Sequence, residues 1–310
     1  MQPRVYIPNR NGAERLRRAL QTLASQSRTT DVTVIDNASS DGSAELVERE
    51  FGDFDVLRLE LNLGFGRAIN RAIRERPGDP VILVNNDVEC EPDFLAALLE
   101  AHGDGTEMVA GVLVQERAPE RIDSAGVVAD RTLMGFDYLH GEPVAAAETA
   151  AAPLGPTGAA ALYRLDAFAE AGGFDERIFL YYEDLDLALR IRAAGGRCRL
   201  APAARALHAY SETLGARSAE KVALTGWSRG YMLRRYGVMS QPRSGFRALA
   251  CEGVICAGQL VRDRTVQGLS GRLRGGHAAK GLEARHAPDD ALLDIPVRRA
   301  LQMRWRRHSD

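Results

Sequence analysis

Two groups of acidic residues follow apolar or aromatic stretches of this 310-residue chain, and they are the side chains best suited to chemistry. In "VILVNNDVECEPDF", residues 81–94, four apolar residues lead into two asparagines and Asp87, which is expected to close a buried strand. A carboxylate there is either a solvated strand end or a ligand for a divalent cation. In "YYEDLD", Glu183, Asp184 and Asp186 follow two tyrosines. These acids complement the dipole of a helix, or their mutual repulsion raises one pKa and prepares a general base.

Four predicted strands end in polar turns of similar character. The turns read "IPNRNG", "IDNASSDGS", "LNLGFG" and "VNNDVE", and each precedes a segment with helical spacing of apolar residues. A strand–helix pair repeated four times with short connections predicts a parallel sheet covered on both faces. Because ligands bind beyond the carboxyl ends of such strands, we expect these turns to surround one site.

The common nucleotide-binding loops are missing from the sequence. There is no GxxxxGK[ST] phosphate loop, and "GFGRAI" does not complete GxGxxG. A bound nucleotide would therefore need a divalent cation to neutralise its phosphates, which gives Asp87 a function. His208, in "LAPAARALHAYSET", is either a structural histidine or a second ligand of that cation.

The predicted fold class is α/β, Rossmann-like, with a mostly parallel central sheet flanked by helices. Residues 1–239 form the main domain in this interpretation, and the pattern becomes strand-rich from residue 108 onward. An Ala-rich stretch near residues 145–152 is interpreted as a mobile loop over or beside the site. Residues 240–310 are rich in arginine and punctuated by glycine, and they are expected to form a basic, helical C-terminal extension.

Composition argues against several classes of protein. A formal net charge of -2 gives no general reason to bind nucleic acid, and the sequence contains no nucleic-acid-binding module. The four cysteines are scattered without metal-ligand spacing and are expected to be reduced thiols. No stretch approaches the roughly 18 apolar residues of a membrane span, and the N-terminus lacks the apolar segment of a signal peptide. We therefore expect a cytoplasmic protein.

Taken together, the motifs resemble those of the inverting family 2 glycosyltransferases with a GT-A fold, in particular their rhamnosyltransferase-like branch. The resemblance covers roughly residues 3 to 237 with the pieces in the right order. It rests on "VYIPNRNGAERLRRAL", "VIDNASSDGSAELV", "NLGFGRAINRAI", "ILVNNDVECEPDFL", "GGFDERIFLYYEDLDLALRIRAAG" and "APAARALHAYS". It implies a nucleotide-binding half, 1–107, and an acceptor-binding half, 108–239.

The resemblance implies roles for individual residues. Asp184 would be the catalytic base, supported by Glu183, and Asp87 and His208 would hold Mg²⁺ or Mn²⁺. "NND" stands where the family has its DxD-type motif, with Asn85 in a position that many members give to aspartate. The residues implied to bind the nucleotide-sugar are Pro8, Asn9, Asn11, Asp36, Asn37, Asn62, Gly64, Arg67, Asn85 and Asn86.

The implied reaction is the transfer of a single sugar from a nucleotide-sugar to a hydroxyl of a glycan, lipid-linked or natural-product acceptor, as in cell-envelope polysaccharide synthesis. The donor implied is dTDP-rhamnose, with UDP-galactofuranose and UDP-N-acetylglucosamine as alternatives. The same motifs leave open a nucleotidyltransferase and a catalytically silent homologue that binds a sugar nucleotide. The extension is interpreted as a helical subdomain or homodimer contact, or as a peripheral contact with the inner face of the membrane.

Overall fold

Strands and helices alternate along the first 84 residues of the computed structural model, which describes residues 1–209 and 218–306. Strands β1, β2, β3 and β4 pair in parallel in the order β3-β2-β1-β4, as the alternation predicted. The bounds are β1 Arg4–Asn9, α1 Ala13–Ala24, β2 Asp31–Asn37, α2 Ser43–Glu50, β3 Asp55–Leu59, α3 Phe65–Glu75 and β4 Val81–Val84.

The second half of the sheet is mixed in direction. Strand β10 lies antiparallel between β4 and β6, and β11 pairs in parallel with β6 and antiparallel with β5. Strand β7 pairs with β6, and β8 and β9 form a separate hairpin. The bounds are β5 Val88–Cys90, α4 Phe94–Ala101, β6 Met108–Gln115, β7 Ala118–Ser124, β8 Val127–Ala129, β9 Gly135–Asp137, β10 Ala160–Tyr163, α5 Leu165–Glu170, α6 Glu183–Ala193 and β11 Cys198–His208.

Both faces of the sheet are covered by helices, which confirms the predicted α/β class. One apolar cluster contains Leu16 and Leu20 of α1 together with Leu98 of α4. The cluster on the other face contains Ile69 of α3 and Leu189 of α6. Every residue of β4 is fully buried, as expected for a strand covered on both sides.

Two details differ from the sequence-based expectation. Strand β4 ends at Val84, and Asp87 lies in the turn before β5, because the hydrogen bond from Val88 N to Asn85 O (3.2 Å) closes that turn. The Ala-rich stretch contains a 3-10 helix, Val144–Glu148. Its Ala147 is buried in an apolar cluster with residues of β6 and β7, where a small side chain allows close packing.

Helices dominate the chain after residue 218. The bounds are α7 Ala219–Arg235, α8 Pro242–Arg262, α9 Gln267–Ala278 and α10 Val297–Arg306. Helices α7 and α9 lie so close together that a Cβ atom added to Gly230 would overlap the carbonyl of Arg272. A Cβ atom added to Gly275 would overlap the carbonyl of Trp227 in the same way. Glycine is therefore required at this helix contact.

A buried group of charged side chains joins α7, α8 and α9. Arg229 of α7, which is 2% exposed, donates to Glu252 of α8 at 2.7 Å, and Arg272 of α9 donates to the other carboxylate oxygen at 2.5 Å. Burial raises the pKa of Glu252, but the two arginines outweigh this effect and lower it to about 2. Glu252 therefore carries its charge inside the protein.

Within residues 1–209 and 218–306, no helix combines the length and the apolar character needed to cross a bilayer.

We expect Gly275→Ala to reduce the free energy of unfolding by roughly 1–3 kcal/mol, because the added methyl group forces α7 and α9 apart. Gly276→Ala is the matched control: its Cβ atom would lie 3.6 Å from the carbonyl of Gly230, an ordinary contact, and alanine favours the helix. Urea denaturation followed by circular dichroism measures both variants. Equal stability of Gly275→Ala and the wild type would contradict the close helix contact.

Candidate active site

A cavity of about 930 Å³ opens at the carboxyl ends of β1, β2 and β4. The first turn of α6 and the first turns of α7 form its opposite side. Twelve of the fourteen residues predicted to form the site line this one cavity: Pro8, Asn9, Asn11, Asn37, Asn62, Gly64, Asn85, Asn86, Asp87, Glu183, Asp184 and His208. The structure thus brings together residues that are up to 200 positions apart in the sequence.

Two predicted residues do not line this cavity. Asp36 is buried and accepts a hydrogen bond from Ser39 N (3.3 Å), which shapes the turn after β2. Arg67 lies on the exposed side of α3, where its Nε atom is 3.5 Å from Glu176. In this structure the Asp36 side chain contacts its own turn, and the Arg67 side chain contacts Glu176.

Asparagine side chains at the strand ends are bonded to one another and to neighbouring turns. Asn86 Nδ2 donates to Asn9 Oδ1 at 2.6 Å, which links the ends of β4 and β1. Asn9 Nδ2 donates to Ser39 Oγ at 3.3 Å, and Asn11 Oδ1 accepts from Ser40 N at 2.9 Å, so the turn after β2 is tied in as well. These bonds hold the floor of the cavity in one arrangement.

The "NLGFG" turn contacts the segment that precedes α6. Gly64 has φ +80°, and a Cβ atom there would overlap the carbonyl of Phe179. Phe65 N donates to that same carbonyl at 2.9 Å. Asn37 holds the turn with both ends of its amide, donating to Gly64 O (3.0 Å) and accepting from Leu63 N (2.8 Å). Gly64 and Asn37 therefore fix the contact between the "NLGFG" turn and the segment before α6 at the edge of the cavity.

Asp184 and Glu183 line the cavity, and the two tyrosines directly before them have a strained backbone conformation. Tyr181 and Tyr182 have φ values of 69° and 71°, a left-handed conformation that is uncommon for tyrosine and is typical of functional segments. Asp184 accepts hydrogen bonds from Leu185 N (2.7 Å) and, less closely, from Gly158 N (3.4 Å). Burial, followed by the charge of Asp184, raises the pKa of Glu183 to about 8.

Asp186 holds the same helical turn from the inside. Its carboxylate is fully buried and pairs with Arg190 at 2.8 Å and with Arg285 at 2.5 Å. Tyr236 Oη donates to it at 2.9 Å. Arg285, which comes from the segment after α9, also reaches Asp175 at 2.9 Å. Asp186 is therefore an internal anchor of α6, whereas Asp184 faces the cavity.

A histidine between two carboxylates forms the other charged part of the cavity. His208 Nε2 lies 3.6 Å from Asp87 Oδ1, and His208 Nδ1 lies 2.7 Å from Asp123 Oδ2. Burial lowers the pKa of His208, but the two carboxylates outweigh that effect and raise it to about 10. Asp123 of β7 orients the imidazole ring through Nδ1, so that Nε2 points toward Asp87.

Several residues of this site carried no usable signal in the sequence. Asp123 precedes His208 by 85 residues and belongs to no recognisable motif. Arg15 and Lys221 add positive charge to the cavity lining. Arg15 is the exception, because it lies in the first turn of α1, directly after the polar turn "IPNRNG".

The donor atoms beside Asp87 suit a divalent cation. Asn85 Oδ1 is buried and has no hydrogen-bond partner among residues 1–209 and 218–306. Carboxylate and amide oxygens with an imidazole match Mg²⁺ or Mn²⁺, which proteins often hold through one or two carboxylates together with substrate phosphates. In the same described part of the chain, no group of three or more His, Cys, Asp and Glu side chains forms a complete metal site. The donor types of Asn85, Asp87 and His208 therefore fit a divalent cation.

Comparison with known families identifies the family of this chain. The model of "Glycosyl transferase family 2" matches residues 4–170, which include the strand ends and the Asn85–Asp87 turn. The chain belongs to glycosyltransferase family 2. It is a glycosyltransferase, as its sequence motifs predicted, and an inverting reaction fits this family.

A curated relative is similar to this chain over more than half of its length. The N-acetylglucosaminyl-diphospho-decaprenol L-rhamnosyltransferase of Mycobacterium tuberculosis is 31% identical over an alignment of 212 residues that covers 61% of this chain and 69% of that protein. This similarity supports the rhamnosyltransferase-like resemblance.

Solved glycosyltransferase structures share the GT-A fold. The mannosyltransferase PcManGT from Pyrobaculum calidifontis, in complex with GDP-Man and Mn²⁺, aligns with a TM-score of 0.53 and 16% identity, over 89% of this chain and 84% of that one. S. aureus TarS 1-349 aligns with a TM-score of 0.50 and 17% identity, over 92% and 93%. The predicted GT-A fold is thereby confirmed.

Glu183→Gln should remove a pH-dependent loss of stability. Because its pKa is raised, Glu183 keeps its proton in the folded protein up to about pH 8, whereas it loses the proton above pH 4.5 in the unfolded chain. Between these two pH values the unfolded chain is favoured by ionisation of Glu183, so the free energy of unfolding decreases as the pH rises toward 8. The stability of the wild type should therefore fall relative to the variant by about 2–4 kcal/mol between pH 5 and pH 8. Urea denaturation at several pH values measures this difference.

The matched control is Glu100→Gln, a change at an exposed glutamate of α4. Parallel stability profiles of Glu183→Gln and the wild type across this pH range would show that Glu183 is ionised in the folded protein.

Proposed function

We propose that this glycosyltransferase transfers a single rhamnose from dTDP-rhamnose to a hydroxyl of a lipid-linked glycan acceptor, with inversion at the anomeric carbon. The proposal rests mainly on one observation. Asp184, from the "ED" motif, and Asp87, from the "NND" motif, line the same cavity. The choice of donor and of a lipid-linked acceptor is supported by the similarity to the mycobacterial decaprenol-dependent rhamnosyltransferase.

Asp184 is the proposed catalytic base. Backbone N–H groups donate to both of its oxygens, which favours the charged form that can accept a proton. The proton of the acceptor hydroxyl passes to Asp184 as the hydroxyl oxygen bonds to the anomeric carbon. The bond from that carbon to the diphosphate breaks in the same displacement, and the electron pair leaves with the diphosphate.

Glu183 supports the base by staying neutral. Its raised pKa keeps it mainly protonated at neutral pH, so it adds no second negative charge next to Asp184. Such a charge would repel the donor diphosphate. The strained tyrosines before α6 fix both carboxyl groups relative to the cavity.

Asp87, with Asn85 and His208, would hold Mg²⁺ or Mn²⁺, as Mn²⁺ accompanies GDP-Man in PcManGT. When bound, the cation offsets the negative charge that grows on the departing diphosphate. Asp123 keeps His208 Nε2 directed toward Asp87 through its hydrogen bond to Nδ1. Arg15 and Lys221 add positive charge to the same cavity.

The bonded asparagines at the ends of β1, β2 and β4 form the proposed nucleotide-binding floor. Their fixed amide groups present hydrogen-bond donors and acceptors without a glycine-rich loop. A site of this kind selects a donor through a few buried polar contacts. UDP-galactofuranose and UDP-N-acetylglucosamine are therefore the donors against which dTDP-rhamnose has to be compared.

The donor assignment predicts that dTDP-rhamnose with Mn²⁺ stabilises the protein more than either UDP-sugar. At a hundredfold excess over Kd, the gain is about 2.7 kcal/mol. Thermal-shift titrations with Mn²⁺ or with EDTA measure this effect. A larger shift with a UDP-sugar would replace the donor assignment.

Asp87→Ala should abolish the Mn²⁺-dependent part of that shift, and Glu89→Ala is its control. Glu89 lies two residues away, pairs with Arg18 at 3.2 Å and does not line the cavity. An unchanged shift in Asp87→Ala would remove this carboxylate from the site.

Asp184→Asn should reduce the rate of sugar transfer by a factor of at least about 10²–10⁴, because an amide cannot accept the acceptor proton. Donor affinity, measured by calorimetry on the same sample, should stay close to that of the wild type. Transfer that survives the substitution would show that another group is the base. If the wild-type protein binds donor but never transfers it, the chain is a silent homologue, and release of pyrophosphate from a nucleoside triphosphate would indicate a nucleotidyltransferase.

A further inference from the structure

Helix α8 exposes an apolar side to solvent. Phe246 is 80% exposed and Val261 is 76% exposed, although both are large apolar residues. The exposed positions from residue 246 to 261 recur at helical spacing and are all uncharged: Phe246, Leu249, Ala250, Gly253, Val254, Ala257, Leu260 and Val261. A helix that faces water normally carries its charged residues on that side.

The charged residues in the middle of α8 point toward the protein instead. Arg247 pairs with the buried Asp130 at 3.0 Å, and Glu252 lies between Arg229 and Arg272. Because these ion pairs are internal, α8 has its polar side inward and its apolar side outward. This is the reverse of a surface helix in water.

Helix α9 continues the apolar surface. Leu260, Val266 and Leu269 line a small apolar cavity of about 150 Å³ between α8 and α9. Leu273 follows one turn later and is 68% exposed. We call this surface the α8–α9 apolar face, made of Phe246, Leu249, Val254, Leu260, Val261, Val266, Leu269 and Leu273.

Basic residues lie at the ends of the α8–α9 apolar face. Exposed basic side chains occur at both ends of α8 and along α9: Arg243, Arg262, Arg264, Arg274 and Lys280. Asp263 is the acidic residue among them, and it is half-buried. Apolar residues bordered by arginine and lysine match an interface with an apolar interior and anionic headgroups.

We propose that the α8–α9 apolar face docks on an anionic lipid membrane. The exposed apolar side chains enter the boundary between headgroups and acyl chains, and the basic residues contact the phosphates. A second copy of the chain fits this surface less well. In a two-fold dimer through α8, each basic end would meet a basic end of the partner, and those like charges would repel.

The face adjoins the active site. Gln259 of α8 lines both the main cavity and the small apolar cavity between α8 and α9. Docking would therefore hold the mouth of the main cavity close to the membrane surface. Granted the proposed function, a lipid-linked acceptor could keep its hydrocarbon chain in the bilayer while its sugar reaches Asp184.

The test is co-sedimentation of the full chain with vesicles. Vesicles of phosphatidylcholine alone are compared with vesicles that also contain phosphatidylglycerol, at low and at high salt. We expect binding to the anionic vesicles that weakens with salt. Phe246→Glu and Val261→Glu should each lower the partition coefficient at least tenfold, because a carboxylate would have to enter the apolar boundary.

Leu61→Glu is the matched control, since Leu61 is 71% exposed but lies outside the C-terminal helices. Arg262→Gln with Arg264→Gln should weaken binding to anionic vesicles and leave the apolar face intact. Circular dichroism and thermal unfolding establish that each variant is folded.

Three results would overturn the docking proposal. They are failure of the wild type to bind anionic vesicles, binding that the glutamate substitutions leave unchanged, and a concentration-dependent dimer that Leu249→Glu dissociates. Donor binding by the same variants separates this proposal from the proposed function. Variants that bind donor but not vesicles support docking, and a wild type that binds vesicles but no donor would contradict only the proposed function.

Discussion

The buried carboxylate of Asp186 is the interaction on which the active site depends. A fully buried charge requires compensation, and Arg190, Arg285 and Tyr236 all provide it from different parts of the chain. These bonds fix the first turn of α6 from its inner side. Asp184 and Glu183 occupy the same turn and thereby gain a defined position in the cavity.

The opposite wall of the cavity is fixed by backbone and amide contacts. Gly64 lets the "NLGFG" turn touch Phe179, and Asn37 holds that turn with both ends of its amide group. The turn after β3 thus contacts the segment that leads into α6 and Asp184, the proposed base. Asp123 plays a comparable part for His208, because its hydrogen bond to Nδ1 orients the imidazole ring.

The sequence was sufficient for the local elements and for the regions that form the site. Alternating strands and helices, polar strand ends and the "ED" pair are local patterns, and twelve of the fourteen residues predicted from them and from the family resemblance line one cavity. Contacts set by tertiary structure were not readable: the reversed direction of β10, the pairing of Asp123 with His208 and the reach of Arg285 to Asp186. Asp36 and Arg67 were assigned through family resemblance; outside the cavity lining, Asp36 accepts a hydrogen bond within its own turn and Arg67 pairs with Glu176.

Arg229 and Arg272 both donate to Glu252, and these bonds tie α7, α8 and α9 together. One of these helices therefore cannot easily be replaced by the corresponding helix of another protein. A replacement segment taken from another family member would have to bring a carboxylate to the position of Glu252. Without it, Arg229 would remain as an uncompensated cation in the interior. The glycines between α7 and α9 add a steric condition to this electrostatic one. This segment is therefore expected to evolve by coordinated changes in α7, α8 and α9, and not by recombination of whole segments.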